Sequence, residues 1–122
     1  MTLDEFNAYC ASLPYTTHVV QWGESDVWKI GGKVFAIGNL GGTENGFAAT
    51  FKCTPIAFDL FKQAEGVRPA PYLASRGMTW LQRTGPGAID DEKLKELIYD
   101  SYRLVGAGLT KKLQRELGLL GG

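Results

Sequence analysis

Few residues in this chain are of a type that does covalent chemistry. Two cysteines, Cys10 and Cys53, and one histidine, His18, are the candidates for a nucleophile and its base. A reactive thiolate needs an accessible, electropositive setting. Cys10 instead belongs to a Leu3, Phe6, Cys10, Leu13 series at helical spacing. Cys53 ends a Phe47, Ala49, Phe51, Cys53 series that alternates as one face of a strand. Both are expected to be buried, unpaired, structural thiols. No Gly-x-Ser-x-Gly occurs around Ser25, Ser75 or Ser101. With one histidine and no Cys-x-x-Cys, no metal site is expected. The glycine-rich residues 38–46 precede a strand and lack Gly-Lys-Ser/Thr, so they read as a loop and not a phosphate cradle. Asp90-Asp91-Glu92 suits the start of a helix, where caps and the dipole favour acidic residues. No catalytic residue and no cofactor are assigned, and the chain is expected to be non-enzymatic.

Non-covalent recognition has better material. Lys29, Lys33, Lys52, Arg68, Arg76 and Arg83 could meet phosphates, and Tyr72 and Trp80 could stack on bases or sugars. Five of these eight fall between Val67 and Arg83. There Pro69 and Pro71 fix φ and push Arg68 and Ala70 towards extended backbone, so no helix runs through. Lys29 and Lys33 flank Gly31-Gly32 and are expected on one hairpin tip. The competing account makes the charges ordinary solvated ones and Trp80 a core residue.

Thirteen basic and thirteen acidic residues cancel over the 122-residue chain. Their distribution is uneven: residues 1–25 carry Asp4, Glu5 and Glu24 and no Lys or Arg, whereas residues 26–84 carry seven basic and four acidic residues. The centre is therefore mildly basic, a weak pointer to an acidic partner. The N-terminal stretch has neither a basic region nor an apolar run of the signal type, and no apolar run approaches membrane-spanning length. A reducing, cytoplasmic setting follows as the expectation, with residues 1–122 forming one domain and no membrane contact.

The elements that must position these residues can be read in order. Thr2 and Glu5 form a capping box for a helix over residues 2–12, which Pro14 ends. Strands are expected at 18–22, 27–30, 33–40 and 47–53, with the diglycine between the second and third as a type I′ turn. Thr54-Pro55 opens a helix whose inner stripe is Ala57, Leu60, Phe61 and Ala64. A strand at 78–82 and a Gly-Pro-Gly turn follow. Asp90 or Asp91 then caps a long helix with Leu94, Leu97, Ile98, Tyr102, Val105 and Leu109 on its apolar face. Thr110 caps a short last helix. The order α-β-β-β-β-α-β-α(-α) predicts an α+β two-layer sandwich: an antiparallel sheet of about five strands, helices on one face and the other face partly open.

Several segments resemble, together and in order, the MmcQ/YjbR family of small bacterial proteins. They are Trp22-Gly23, Val27-Trp-Lys-Ile-Gly-Gly-Lys-Val-Phe35, Phe51-Lys-Cys-Thr-Pro55, Val67-Arg-Pro-Ala-Pro-Tyr72 and Asp100-Ser-Tyr-Arg-Leu-Val105. The resemblance implies a two-layer fold like that of CyaY and type III secretion chaperones. It also implies a DNA-binding role through a "double-wing" of β-hairpins, with the Gly31-Gly32 hairpin matching one wing. The chain departs from the family pattern at residues 77–83, where Gly77-Met78-Thr79 precedes Trp80. DNA is thus the expected partner. The alternative is a protein-interaction or chaperone-like adaptor domain that uses the open sheet face, as a monomer or weak homodimer.

Overall fold

A computed structural model describes residues 1–41, 46–73 and 78–118. Thr2 caps the first helix, α1 (Leu3–Ser12), and Glu5 closes the reciprocal capping box. Three strands follow: β1 (Thr16–Gln21), β2 (Ser25–Ile30) and β3 (Lys33–Gly38). At the diglycine between β2 and β3, φ is +59° and +81°, the geometry that glycine supplies without steric cost. Then come β4 (Ala49–Lys52), α2 (Pro55–Phe61), β5 (Val67–Pro69), β6 (Trp80–Arg83), α3 (Asp91–Ala107) and α4 (Lys111–Glu116). Thr54, Asp90 and Thr110 each accept a backbone N–H as helix caps.

The strands form one antiparallel sheet in the order β1-β2-β3-β4-β6-β5. The α+β class and the element order agree with the sequence, and the sheet gains a sixth strand. Val67–Pro69 is only three residues long and carries a proline, so no strand pattern announced it. The loop between β3 and β4 lies partly outside the described residues.

One sheet face carries the main core. Phe6 and Cys10 of α1, and Leu94, Ile98 and Tyr102 of α3, pack with Trp28, Ile30, Ala49, Phe51 and Leu81. Burying each large side chain stabilises the fold by about 1.5–3 kcal/mol. β3 bulges where Trp28 faces Ala36 but Lys29 faces Val34, leaving Phe35 as the extra residue. Its carbonyl is rescued by the Ser101 hydroxyl, which donates to it at 2.6 Å and accepts from the Lys52 N–H at 2.9 Å. The stripe of α2 departs from expectation. Ala57, Phe58, Phe61 and Ala64 pack on the core, while Leu60 stands 70% exposed.

The two sheet edges differ. β5 is short and ends in Pro69, which offers no N–H. β1 is six residues long, Thr-Thr-His-Val-Val-Gln, without proline, lysine or bulge, and its residues are largely exposed.

Candidate functional site

The face opposite the helices is built from alternate residues of every strand. Directly opposed residues share a face. A row therefore crosses the sheet from Val19 to Val27, Ile37, Thr50, Gln82 and Arg68. A second row begins Thr17, Lys29, Val34 and includes the pair Lys52–Trp80. The segment after β5 crosses back over this face: Leu73 packs on Val27, Ile37 and Leu40. It leaves Thr50 and Gln82 fully buried.

Gln82 holds this polar centre together. Its Nε2 donates to the Leu40 carbonyl at 2.8 Å and to Thr50 Oγ1 at 3.1 Å, and its Oε1 accepts from Arg68 Nε at 2.8 Å. Both amide protons are thus used, which makes the buried carboxamide tolerable. The Arg68 side chain is anchored through Nε while the residue remains exposed.

The basic candidates divide. Lys29 and Lys52 stand half-buried on the open face, and Arg68 stands exposed on it. Lys33 does not join them. It opposes Ile30, a helix-side core residue, so strand alternation turns Lys33 to the other side of the hairpin from Lys29. Arg83 does not reach the surface: it opposes Ala49 on the helix side and is 3% exposed. Its Nε donates to the Ile89 carbonyl and its Nη2 to Asp91 Oδ1, both at 3.0 Å. The expectation that Arg83 meets a partner is corrected by this pair, which ties β6 to the start of α3. Arg76 lies outside the described residues.

The aromatic candidates divide too. Tyr72 is 70% exposed. Trp80 faces the open side but is buried, so a stacking role is replaced by a packing one. Among the described residues its Nε1 finds no hydrogen-bond partner. Sequence reasoning missed Trp22, which is 55% exposed in the β1–β2 turn. Trp22 and Tyr72 both line an open cleft of about 750 Å³, whose floor is Ile37, Leu40 and Leu73. Their backbones are left-handed, with φ +54° and +67°. Glu24, in the same turn as Trp22, and Asn39, next to Leu40, are left-handed as well. Such geometry costs a non-glycine residue about 1–3 kcal/mol and gathers at ligand sites. A large aromatic residue in a turn position that favours glycine or asparagine was the available sequence signal.

The strand residues on this face carry charge of one sign. At the open-face positions of the six strands, the charged residues are Lys29, Lys52 and Arg68. The one acidic residue of the described strands is elsewhere: Asp26 opposes Gly38 on the helix side and accepts from His18 Nε2 at 2.8 Å. The His18 ring also lies over Trp28, 4.7 Å between centroids.

Among the described residues, neither cysteine is an activated nucleophile. Both cysteines are buried and free. Burial pushes the Cys10 thiol far up and the Cys53 thiol up to about 11, so neither is an available thiolate. Among the described residues, no group of three or more His, Cys, Asp or Glu could hold a metal ion. No helix among them is long and apolar enough to cross a membrane.

The fold and this face define a class: small α+β domains whose single antiparallel sheet is backed by helices on one side. The YjbR family model matches residues 11–104, and the chain belongs to that family. It is similar over 96% of its length to a crystal structure of the Deinococcus radiodurans protein DR2400, a DUF419 domain. That match has 26% identity and a TM-score of 0.80 and covers 88% of DR2400. A Pseudomonas syringae protein of known structure shares the fold, with 18% identity, a TM-score of 0.67, and coverage of 86% of this chain and 99% of that one. No curated protein matches the sequence.

Proposed function

We propose that this chain is a nucleic-acid-binding module that uses the open face of its sheet, without catalysis and in the reducing cytoplasm. One observation carries the proposal: in a protein of zero net charge, the open face bears Lys29, Lys52 and Arg68 and no acidic strand residue. Segregated charge attracts a polyanion even when the total cancels. Arg68 is anchored at Nε, so less side-chain freedom is lost when its remaining donors meet a phosphate. Phosphate contact by Lys29, Lys52 and Arg68 is the role we assign.

Fluorescence anisotropy with labelled oligonucleotides tests this. Three neutralised phosphates give a log-log salt slope of about −2.1 to −2.7, so affinity should fall roughly 20–40-fold over a fourfold rise in salt. Replacing Lys29, Lys52 and Arg68 by Gln should flatten that slope. Absence of binding at low salt, or a slope that the triple variant leaves intact, would reject the proposal.

The bare β1 edge favours a second reading, a protein partner that adds a strand beside exposed Val19 and Val20. Val20→Lys, on the helix side of the same strand, would disrupt such pairing and leave oligonucleotide binding in place.

A further inference from the structure

We infer that Trp22 and Tyr72 form a stacking site for an unstacked nucleobase, so that this face takes single-stranded DNA or RNA in preference to duplex. The inference rests on the proposed nucleic-acid reading and deepens it. The first support is the choice of residue. The β1–β2 turn places Trp22, Gly23 and Glu24 consecutively in left-handed backbone, and Tyr72 has the same geometry in the crossing segment. Glycine or asparagine would satisfy those backbones more cheaply. Trp22 nevertheless keeps more than half of its surface in water.

The second support is the shape. Trp22 and Tyr72 line one cleft, together with Leu73, which packs over the buried Ile37 and Leu40. The cleft's volume of about 750 Å³ falls in the range, about 300–1,000 Å³, of small-molecule sites and is ample for a base. A paired base cannot enter it, because both faces of its ring are already stacked on neighbours. An unstacked base can.

The third support is charge placement. Ile37 in the cleft floor is in the same cross-strand row as Arg68, three strands away, or roughly 14 Å at the usual strand spacing. Lys29 and Lys52 are each one strand and about two residues from Ile37, roughly 8 Å away. A strand with one base in the cleft therefore carries its neighbouring phosphates towards these three cations. This is the arrangement by which single strands are held without sequence readout, aromatic platform beside basic groove.

Homopolymer oligo-dT, oligo-rU and a duplex of equal length, each labelled, are titrated against wild type, Trp22→Leu and Tyr72→Leu. Each substitution should weaken single-strand binding by roughly fivefold to 150-fold, the effect of losing one base–aromatic stack. Duplex binding and the salt slope should not change. Trp28 and Trp80 are buried, so quenching of tryptophan emission by oligo-dT should report on Trp22 and vanish in Trp22→Leu. Trp22→Gly removes the ring and its backbone strain together. It should melt no lower than wild type and lose single-strand binding to the same extent, which separates stacking from stability. Wild type that binds single strand and duplex equally, or a Trp22→Leu protein that keeps full single-strand affinity, overturns the stacking site while leaving the phosphate-binding reading intact. If wild type binds no oligonucleotide at low salt, both fall.

Discussion

Gln82→Leu tests whether the buried polar centre works as one unit. The substitution keeps the side-chain volume nearly constant and removes two donors and one acceptor. The Leu40 carbonyl and the Thr50 hydroxyl lose the amide that satisfies them. Each buried orphan costs about 1–3 kcal/mol, the hydroxyl at the low end because it can rotate. Burying an apolar side chain in place of the amide offsets about 1–2 kcal/mol. Arg68 is exposed and loses little by regaining water. The net expectation is about 2 kcal/mol of destabilisation. Thr50→Val alone strands one amide proton of Gln82, which keeps Leu40, and should cost about 1 kcal/mol. The double variant removes both members of the Gln82–Thr50 bond and should cost about 2 kcal/mol, less than the two single changes added. Urea unfolding of all four proteins, with m unchanged, measures this cycle. Single effects that add to within about 0.5 kcal/mol would refute the network, because uncoupled sites behave that way.

Arg83 and Asp91 form an unequal pair, 4% and 48% exposed in their side chains, so Asp91→Ala should cost more than Arg83→Met. The first strands a buried guanidinium, at about 2–3 kcal/mol, short of a fully buried pair because water reaches Asp91. The second leaves a solvated carboxylate and one orphan carbonyl, at about 1–2 kcal/mol by urea unfolding. The Asp91 carboxyl is held below its ordinary value, first by its bond from the Met1 amino group and then by Arg83. Its contribution is therefore present above the ordinary carboxylate range and lost as pH falls through the lowered folded value, and Asp91→Asn should flatten that acid limb of stability. Gly32→Val forces a β-branched residue to φ +81° and should cost about 1–3 kcal/mol, and Gly31→Ala adds a Cβ 2.6 Å from Leu109 Cδ1. An unchanged melting temperature for either would contradict the turn. Native thiols should react slowly with a disulfide reagent at pH 8 and rapidly in denaturant, since burial raises both thiols. Two fast native thiols would refute their burial.

Local signals account for what the sequence revealed. The diglycine turn, the four caps and the alternation that buries Phe51 and Cys53 each depend on neighbours within a few residues, and each recurs in the structure. What failed depended on distant partners. Helical spacing allows Phe58 as readily as Leu60 to join Ala57, Phe61 and Ala64, and only the sheet beneath α2 decides between them. Arg83 reads as a surface cation until Asp91 and the Ile89 carbonyl are seen beside it. Lys29 and Lys33 look like one tip because the eye counts residues from the turn, whereas the register pairs Lys33 with core Ile30. Trp22 carries only a weak signal, a large aromatic residue beside Gly23 in a turn, and its left-handed backbone shows only in the fold.

The unequal edges of the sheet set a limit on assembly. Extension through main-chain hydrogen bonds needs a free edge on each participant, and among the described residues the sheet offers one such edge of useful length, β1. The far edge, three residues closed by Pro69, cannot template another strand. The described sheet is therefore monovalent for growth. Two copies that met edge to edge through β1 would each consume their one docking edge, and the result would be a closed pair with no propagating end, not a fibre.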